Sequence, residues 1–182
     1  RNSSSAASDV YKRQGYDKLP LQSKYFLKAG YPITAMSGKF HTAWGEFGGF
    51  KHPNARRYEA ASMIAWGANC NFGDQLHPCG EMDVATYKNI GEAYAYVAKI
   101  ENYGVGGTPV ARVGLWRSLD ETSDEGMAKM LLEAHINFDV ANFSQDFAEF
   151  ELVLIPSVAC LTESDAQRLN AFAKNGGSLV VM

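Results

Sequence analysis

NCNFGDQLHPCGEMDVATYKNIGEAYAYVAKIE, residues 69–101, is the stretch whose reading decides the fold. Asn69 to Gly73 is a strand-sized run closed by glycine. A polar loop follows from Asp74 to Glu81. Asp83 then stands where a helix N-cap belongs, ahead of a helix from Val84 to about Glu101. Within that helix Tyr87, Ile90, Gly91, Tyr94, Val97 and Ala98 fall on one stripe, the pattern of a helix lying against a sheet. The same order precedes it. Tyr31 to Met36 is a β-branched and aromatic run ended by Ser37-Gly38, and a loop continues to Pro53. Asn54 can cap a helix with Tyr58, Ala61, Ile64 and Ala65 at helical spacing, which Gly67 closes. Strand, long loop and helix, twice over, is the layout of an α/β barrel, whose site is built from the loops after its strands.

Outward from this pair the pattern changes. Gly15 to about Lys28 is mixed and polar and reads as a loop with a short helical turn. Gly104-Val105-Gly106-Gly107-Thr108-Pro109 is a linker by composition. Beyond it come a strand at Ala111 to Trp116, a helix near Asp124 to His135, a strand at Phe138 to Ala141 and a turn around Asp146. A strand at Leu152 to Pro156, a helix from Ser164 to Lys174 and a strand from Ser178 complete the series. Short loops and near-continuous apolar strands describe a parallel sheet covered on both faces. The expected class is therefore α/β: residues 15–103 as the C-terminal part of a (β/α)8 barrel, 104–109 as linker, and 110–182 as a truncated flavodoxin-like open α/β domain. A closed barrel takes roughly 250 residues, so only its last units are expected here. Residues 1–14, RNSSSAASDVYKRQ, lack apolar periodicity and the features of a signal peptide. Their DVYKRQ segment resembles the translated end of a sequencing transposon, so they are read as a non-native or disordered tail.

Composition supports globular material of one or two domains. The chain has 182 residues, 46% hydrophobic and 20% charged, with a net charge of -3, which argues against a disordered tail or a nucleic-acid arm. No apolar run approaches the ~18 residues of a membrane span. Cys70, Cys79 and Cys160 cannot all pair within the chain, so a reducing, cytoplasmic setting is expected.

Chemistry concentrates in the two loops that follow the first two strands. His41-Thr42-Ala43-Trp44-Gly45-Glu46 sets a histidine, an aromatic ring and a carboxylate among glycines. Such a mixture suits a sugar, whose apolar face stacks on Trp44 while polar groups bind its hydroxyls. Gly73-Asp74-Gln75-Leu76-His77 follows the second strand directly. Neighbouring strands lie about 4.8 Å apart, so Glu46 and Asp74 could converge on one pocket as the acid and nucleophile of glycosidic hydrolysis. Glu46 could instead be a surface carboxylate, the commoner role of a lone glutamate in a glycine-rich loop, and Asp74 could equally bind a sugar hydroxyl or tie down its own loop. His41, Trp44, Gln75 and His77 are the candidate substrate contacts. No HxH, HExxH or CxxC spacing supports a metal site, and no cofactor is expected. Cys70 reads as a small buried strand residue. Cys160 is followed by leucine, whereas a nucleophile elbow needs small flanking residues, so it reads as inert.

The stretch MSGKFHTAWGEFGGFKHPNARRYEAASMIAWGANCNFGDQLHPCGEMD resembles the C-terminal end of the catalytic barrel in glycoside hydrolases related to the β-galactosidases and α-L-fucosidases. VGLWRS, SDEGMAKMLLEAHINFDV and LVLIPSVACLTESDAQRLNAFAKNGGSLVVM resemble the β-galactosidase trimerisation domain, with its class I glutamine-amidotransferase-like fold. The resemblance implies a retaining glycosidase acting on terminal galactosyl or fucosyl residues without a cofactor, and a homo-oligomer assembled through the second domain. In the β-galactosidase relatives the nucleophile is a glutamate just after the seventh barrel strand. Here Met36-Ser37-Gly38-Lys39 occupies that vicinity, and Glu46 is the nearest glutamate. The chain alone is expected to be inactive, and a non-catalytic carbohydrate-binding or oligomer-forming protein of the same fold is the alternative. Neither nucleic acid nor membrane is an expected partner.

Overall fold

The structure is a computed structural model describing residues 16–41, 45, 46, 48, 49 and 51–182. The expected N-terminal tail and Trp44 lie outside the described residues. Two compact units are present. One joins the described residues up to Ser23 with Pro32–Gly107; the other joins Lys24–Tyr31 with Thr108–Met182. Both carry parallel sheets with helices between the strands, so the α/β class expected from the sequence holds.

In the first unit β1 (Thr34–Gly38) and β2 (Asn69–Gly73) pair parallel, Thr34 opposite Asn69 and Gly38 opposite Gly73. The strand expected over Tyr31–Met36 thus begins later and runs through Ser37 and Gly38. Two helices cover the pair, α2 (Pro53–Ala65) and α3 (Val84–Gly104). The segment read as a loop near residues 15–28 is a regular helix, α1 (Lys18–Lys28). Its Leu19 is buried with Ala35, Met63 and Ala68, so tertiary burial, rather than a visible periodicity, stabilises its first half. Ala60 and Ile64 of α2 pack with Ala93 and Val97 of α3.

Capping explains the boundaries. His52, not Asn54, caps α2: its ring nitrogen accepts from the Asn54 N–H at 3.1 Å, and Pro53 follows at a position that needs no amide partner. Gly67, at φ +76°, turns the chain out as expected. Asp83 caps α3 by accepting from the Ala85 N–H at 3.0 Å. The buried faces differ from the expected stripes. On α2 the inward residues are Arg56, Glu59, Ala60, Met63 and Ile64, while Tyr58 is 56% exposed and stacks edge-on against Tyr16. On α3 they are Thr86, Asn89, Ile90, Ala93 and Val97, leaving Tyr87 and Tyr94 at the surface. The cause is the same in both helices: polar side chains with buried partners turn inward, and the tyrosines lie at the surface where their hydroxyls meet water or, for Tyr94, the Cys70 carbonyl at 3.3 Å.

The second unit holds β3 (Val113–Leu115), α4 (Glu121–Glu133), β4 (Phe138–Val140), β5 (Leu152–Ile155), α5 (Glu163–Lys174) and β6 (Ser178–Val181). Its four strands are all parallel in the order β4-β3-β5-β6, the arrangement that opens a doubly wound sheet. Trp116, Phe147, Phe150, Val153, Ile155, Leu169 and Phe172 form its core. Thr162 and Asp165 make a reciprocal capping box at the start of α5. After β3 the fully buried carboxylate of Asp124 accepts from the main-chain N–H groups of Ser118 and Leu119, both at 2.9 Å, and from the Ser118 hydroxyl at 2.7 Å. Leu119 is held there at φ +71°, a left-handed conformation that leucine rarely adopts. No helix among the described residues is long and apolar enough to cross a membrane.

One glycine fixes how closely the two helices of the first unit approach. A Cβ on Gly104, the last residue of α3, would run into the main-chain carbonyl of Ile64 in α2. Gly104→Ala should therefore destabilise the first unit by about 1–3 kcal/mol, read as a lowered melting temperature. Gly126→Ala, where a Cβ meets open space on α4, should leave it unchanged or slightly raised.

Candidate functional site

The carboxyl ends of β1 and β2 lead into the two loops singled out by the sequence. Where the first loop leaves β1, Lys39 donates its N–H to the Gly73 carbonyl at 3.0 Å. Its own carbonyl accepts from the Lys51 N–H at 2.8 Å and from the Arg56 guanidinium at 3.0 Å. The loop thus departs at residue 39 and returns at residue 51 through a single pinned neck. Asn89 of α3 donates to the Lys51 carbonyl at 3.2 Å, tying the neck to the second helix.

Beneath that neck lies a closed ion cluster. The Lys51 ammonium donates to both oxygens of Glu59, at 2.9 and 2.8 Å, and to the Ser37 hydroxyl at 2.8 Å. Ser37 in turn donates to Glu59. All three side chains are buried. Tyr16 also engages Glu59; burial first, and then the charge of Glu59, push its hydroxyl above the usual tyrosine range. All three protons of the Lys51 ammonium have acceptors and both Glu59 oxygens have donors, which is the condition for burying such a pair at tolerable cost. Ser37 and Lys51 are near enough for a serine–lysine nucleophile. Glu59 holds the lysine in an ion pair, however, and the hydroxyl is sealed from solvent, so the pair is structural.

In the second loop Asp74 Oδ1 accepts from the Gln75 N–H at 2.7 Å and lies 3.7 Å from the Lys39 ammonium. Asp74 Oδ2 has no hydrogen-bond partner among the described residues. The Gln75 side-chain oxygen is buried and unpartnered. A Cβ built on Gly45 would lie 3.9 Å from it, so the first and second loops meet at Gly45 and Gln75. His77 is half-buried, and its carbonyl accepts from the Gly80 N–H at 2.8 Å. Glu46 is turned back into its own loop: Oε1 accepts from the His41 N–H at 2.6 Å and would crowd any side chain at position 49. His41 itself is exposed. The structure thus brings the two loops together and places Asp74 and Gln75 at their junction. It directs the Glu46 carboxylate onto His41.

Lys39, Lys51, Arg56 and Glu59 carry much of this arrangement, and the sequence reading did not find them. Lysine, arginine and glutamate ordinarily signal a solvated face. The available signal was the spacing of Arg56, Glu59, Ala60 and Met63, which shares one helix face. Burial pushes the Cys70 thiol up to about 12, so it is a packed strand residue. Among the described residues no group of three or more histidine, cysteine, aspartate or glutamate side chains is placed to hold a metal ion.

The family model of the β-galactosidase trimerisation domain matches residues 128–182, from within α4 through β6. No curated protein matches significantly. Among solved structures, α-L-fucosidase isoenzyme 2 from Paenibacillus thiaminolyticus is 38% identical with a TM-score of 0.84, over 94% of this chain and 28% of that one. A cold-adapted β-galactosidase from Rahnella sp. R3 is 18% identical at a TM-score of 0.72, over 96% of this chain and 32% of its own. The β-galactosidase from Bacillus circulans sp. alkalophilus is 14% identical at 0.74, over 93% and 30%. The likeness to glycoside hydrolases read from the sequence is borne out: the chain has the sequence character and fold of a segment of such an enzyme. It spans less than a third of the length of these solved structures. The two β-galactosidases, at their low identity, speak to the fold alone.

Two outcomes follow from the geometry. Glu59→Ala should cost about 3–5 kcal/mol, since it strands the Lys51 ammonium in the interior, and denaturant melts would read that loss. Native-state alkylation followed by mass spectrometry should label exposed Cys79 and Cys160 and spare Cys70.

Proposed function

We propose that the chain is a segment of a longer retaining glycoside hydrolase that releases terminal fucosyl or galactosyl residues. Its two strand-end loops form part of the sugar-binding rim. The observation that carries this reading is the junction of the loops, where a carboxylate oxygen of Asp74 and the buried Gln75 Oε1 both await donors. Sugar hydroxyls are such donors, and a buried acceptor left unpaired costs about 1–3 kcal/mol until one arrives. In this reading Asp74 and Glu46 are the catalytic carboxylates, with His41, Trp44, Gln75 and His77 as substrate contacts. Retaining hydrolysis needs its carboxyl groups about 5–5.5 Å apart, so Glu46 would have to release the His41 N–H to take part. The chain alone is inactive, because the remaining strand ends of a barrel are needed to complete the site. The likeness to a trimerisation domain supports homo-oligomer formation through the second unit, and three free cysteines agree with a cytoplasmic setting.

A second reading has one observation in its favour. Glu46 is engaged within its own loop, as it would be in a protein that binds carbohydrate or forms oligomers without cleaving it.

The product of the complete gene, assayed on nitrophenyl α-L-fucoside and β-galactoside, separates the two. The enzyme reading expects hydrolysis of one of them and a fall in kcat/KM of about 100-fold or more in both Asp74→Asn and Glu46→Gln. Sugar binding without hydrolysis would select the second reading. Undiminished activity in both variants would remove these residues from the chemistry.

A further inference from the structure

We propose that Lys39 is a positioning residue: a fixed strut that holds Asp74 by one oxygen so that the other is presented to substrate. The geometry rests on three observations. First, the Lys39 main chain cannot move independently. Its N–H is bonded to Gly73, and its carbonyl takes the Lys51 N–H and the Arg56 guanidinium. Second, its side chain is almost wholly buried, and its ammonium lies 3.7 Å from Asp74 Oδ1. Among the described residues no other carboxylate forms an ion pair with it; its charge also reaches Asp83, and the Phe40 ring lies 6.0 Å away at the centroid. A buried ammonium needs its counter-ion, so Asp74 is tethered. Third, both constraints on Asp74, the Gln75 N–H and the Lys39 charge, fall on Oδ1. Oδ2 accepts no hydrogen bond among the described residues, and the buried Arg56 guanidinium adds a second positive charge that acts on Asp74.

Lys39 belongs to the first loop and Asp74 to the second, so this pair fixes one loop against the other where they meet. The functional consequence rests on the sugar-site reading above; the strut itself does not. The Gln75 amide is a direct reporter, because its hydrogen bond survives only while the Asp74 carboxylate is held. In the 182-residue chain, Lys39→Met should speed hydrogen exchange of the Gln75 amide about tenfold, the loss of roughly one hydrogen bond. Amides within α2 and α3 should keep their wild-type rates. In the product of the complete gene the same variant should lower kcat/KM about 100-fold, the cost of a misplaced group. Lys39→Arg should recover much of that loss, and Asp74→Asn should add little to Lys39→Met, because the two act as one unit.

If the wild-type protein hydrolyses neither glycoside while Gln75 exchange quickens as stated, the enzyme reading fails and the strut stands. An unchanged Gln75 exchange rate in Lys39→Met, or an active enzyme that keeps its kcat/KM within about twofold, overturns the proposal. Should Lys39→Met not fold, Lys39→Gln, which also removes the charge, carries the test: faster exchange confined to residues near Asp74 supports the strut. Loss of protection spread through α2 and α3 would reduce Lys39 to a packing role and overturn it.

Discussion

The ion pair between Lys51 and Glu59, closed by Ser37, is the constraint on which the rest of the first unit depends. Burying two full charges is expensive, and it is tolerable here because every donor finds an acceptor on a different element: Ser37 at the end of β1, Glu59 on α2, Lys51 at the returning end of the loop. The cluster therefore does more than add stability. It selects the rotation of α2 about its axis, since only one face of that helix can deliver Glu59 to Lys51. The face so chosen also turns Arg56 onto the Lys39 carbonyl and Met63 into the apolar core. An all-apolar face would have packed as well, but it would not have fixed where the loop begins and ends.

The site inherits its order from that anchoring. A glycine-rich loop has many accessible conformations, and catalysis or sugar binding tolerates few of them. Pinning residues 39 and 51 together fixes where the loop begins and where it ends. The second loop starts from β2, whose register with β1 is extended one step by the bond from the Lys39 N–H to Gly73. Both loops thus share one rigid origin, and Gly45 and Gln75 come together from it.

Elements whose periodicity or caps are local were readable from the chain. Asn69–Gly73, the Asp83 cap and the alternation of strand and helix after residue 110 came from adjacent residues and turn signals, and they stand in the structure. The first helix was not readable, because Lys18–Lys28 has no clean stripe and leans on partners distant in sequence. The inward faces of α2 and α3 were misjudged for a related reason. Pattern reading counts tyrosine as core and arginine or glutamate as surface, whereas here the charges have partners and the tyrosines do not need burial. In the candidate site, the position of Asp74 and Gln75 at the loop junction was legible because they directly follow a strand. Glu46 was found as a residue type, but its hydrogen bond to His41 depends on loop geometry that no spacing encodes. Lys39 gave no signal at all, since its significance comes wholly from what lies across the strand pair.

The Asp124 carboxylate in the turn after β3 has a consequence for the second unit. Sheets with this strand order bind ligands in the crevice at their carboxyl ends, beside the strand where the winding reverses. There the Ser118 and Leu119 amides are already taken by Asp124, a group tethered to the same stretch of chain. A phosphate or carboxylate arriving from solution would have to evict a competitor whose local concentration is far above its own. The turn after β3 is thus closed from within, its two amides satisfied by a carboxylate of the same chain.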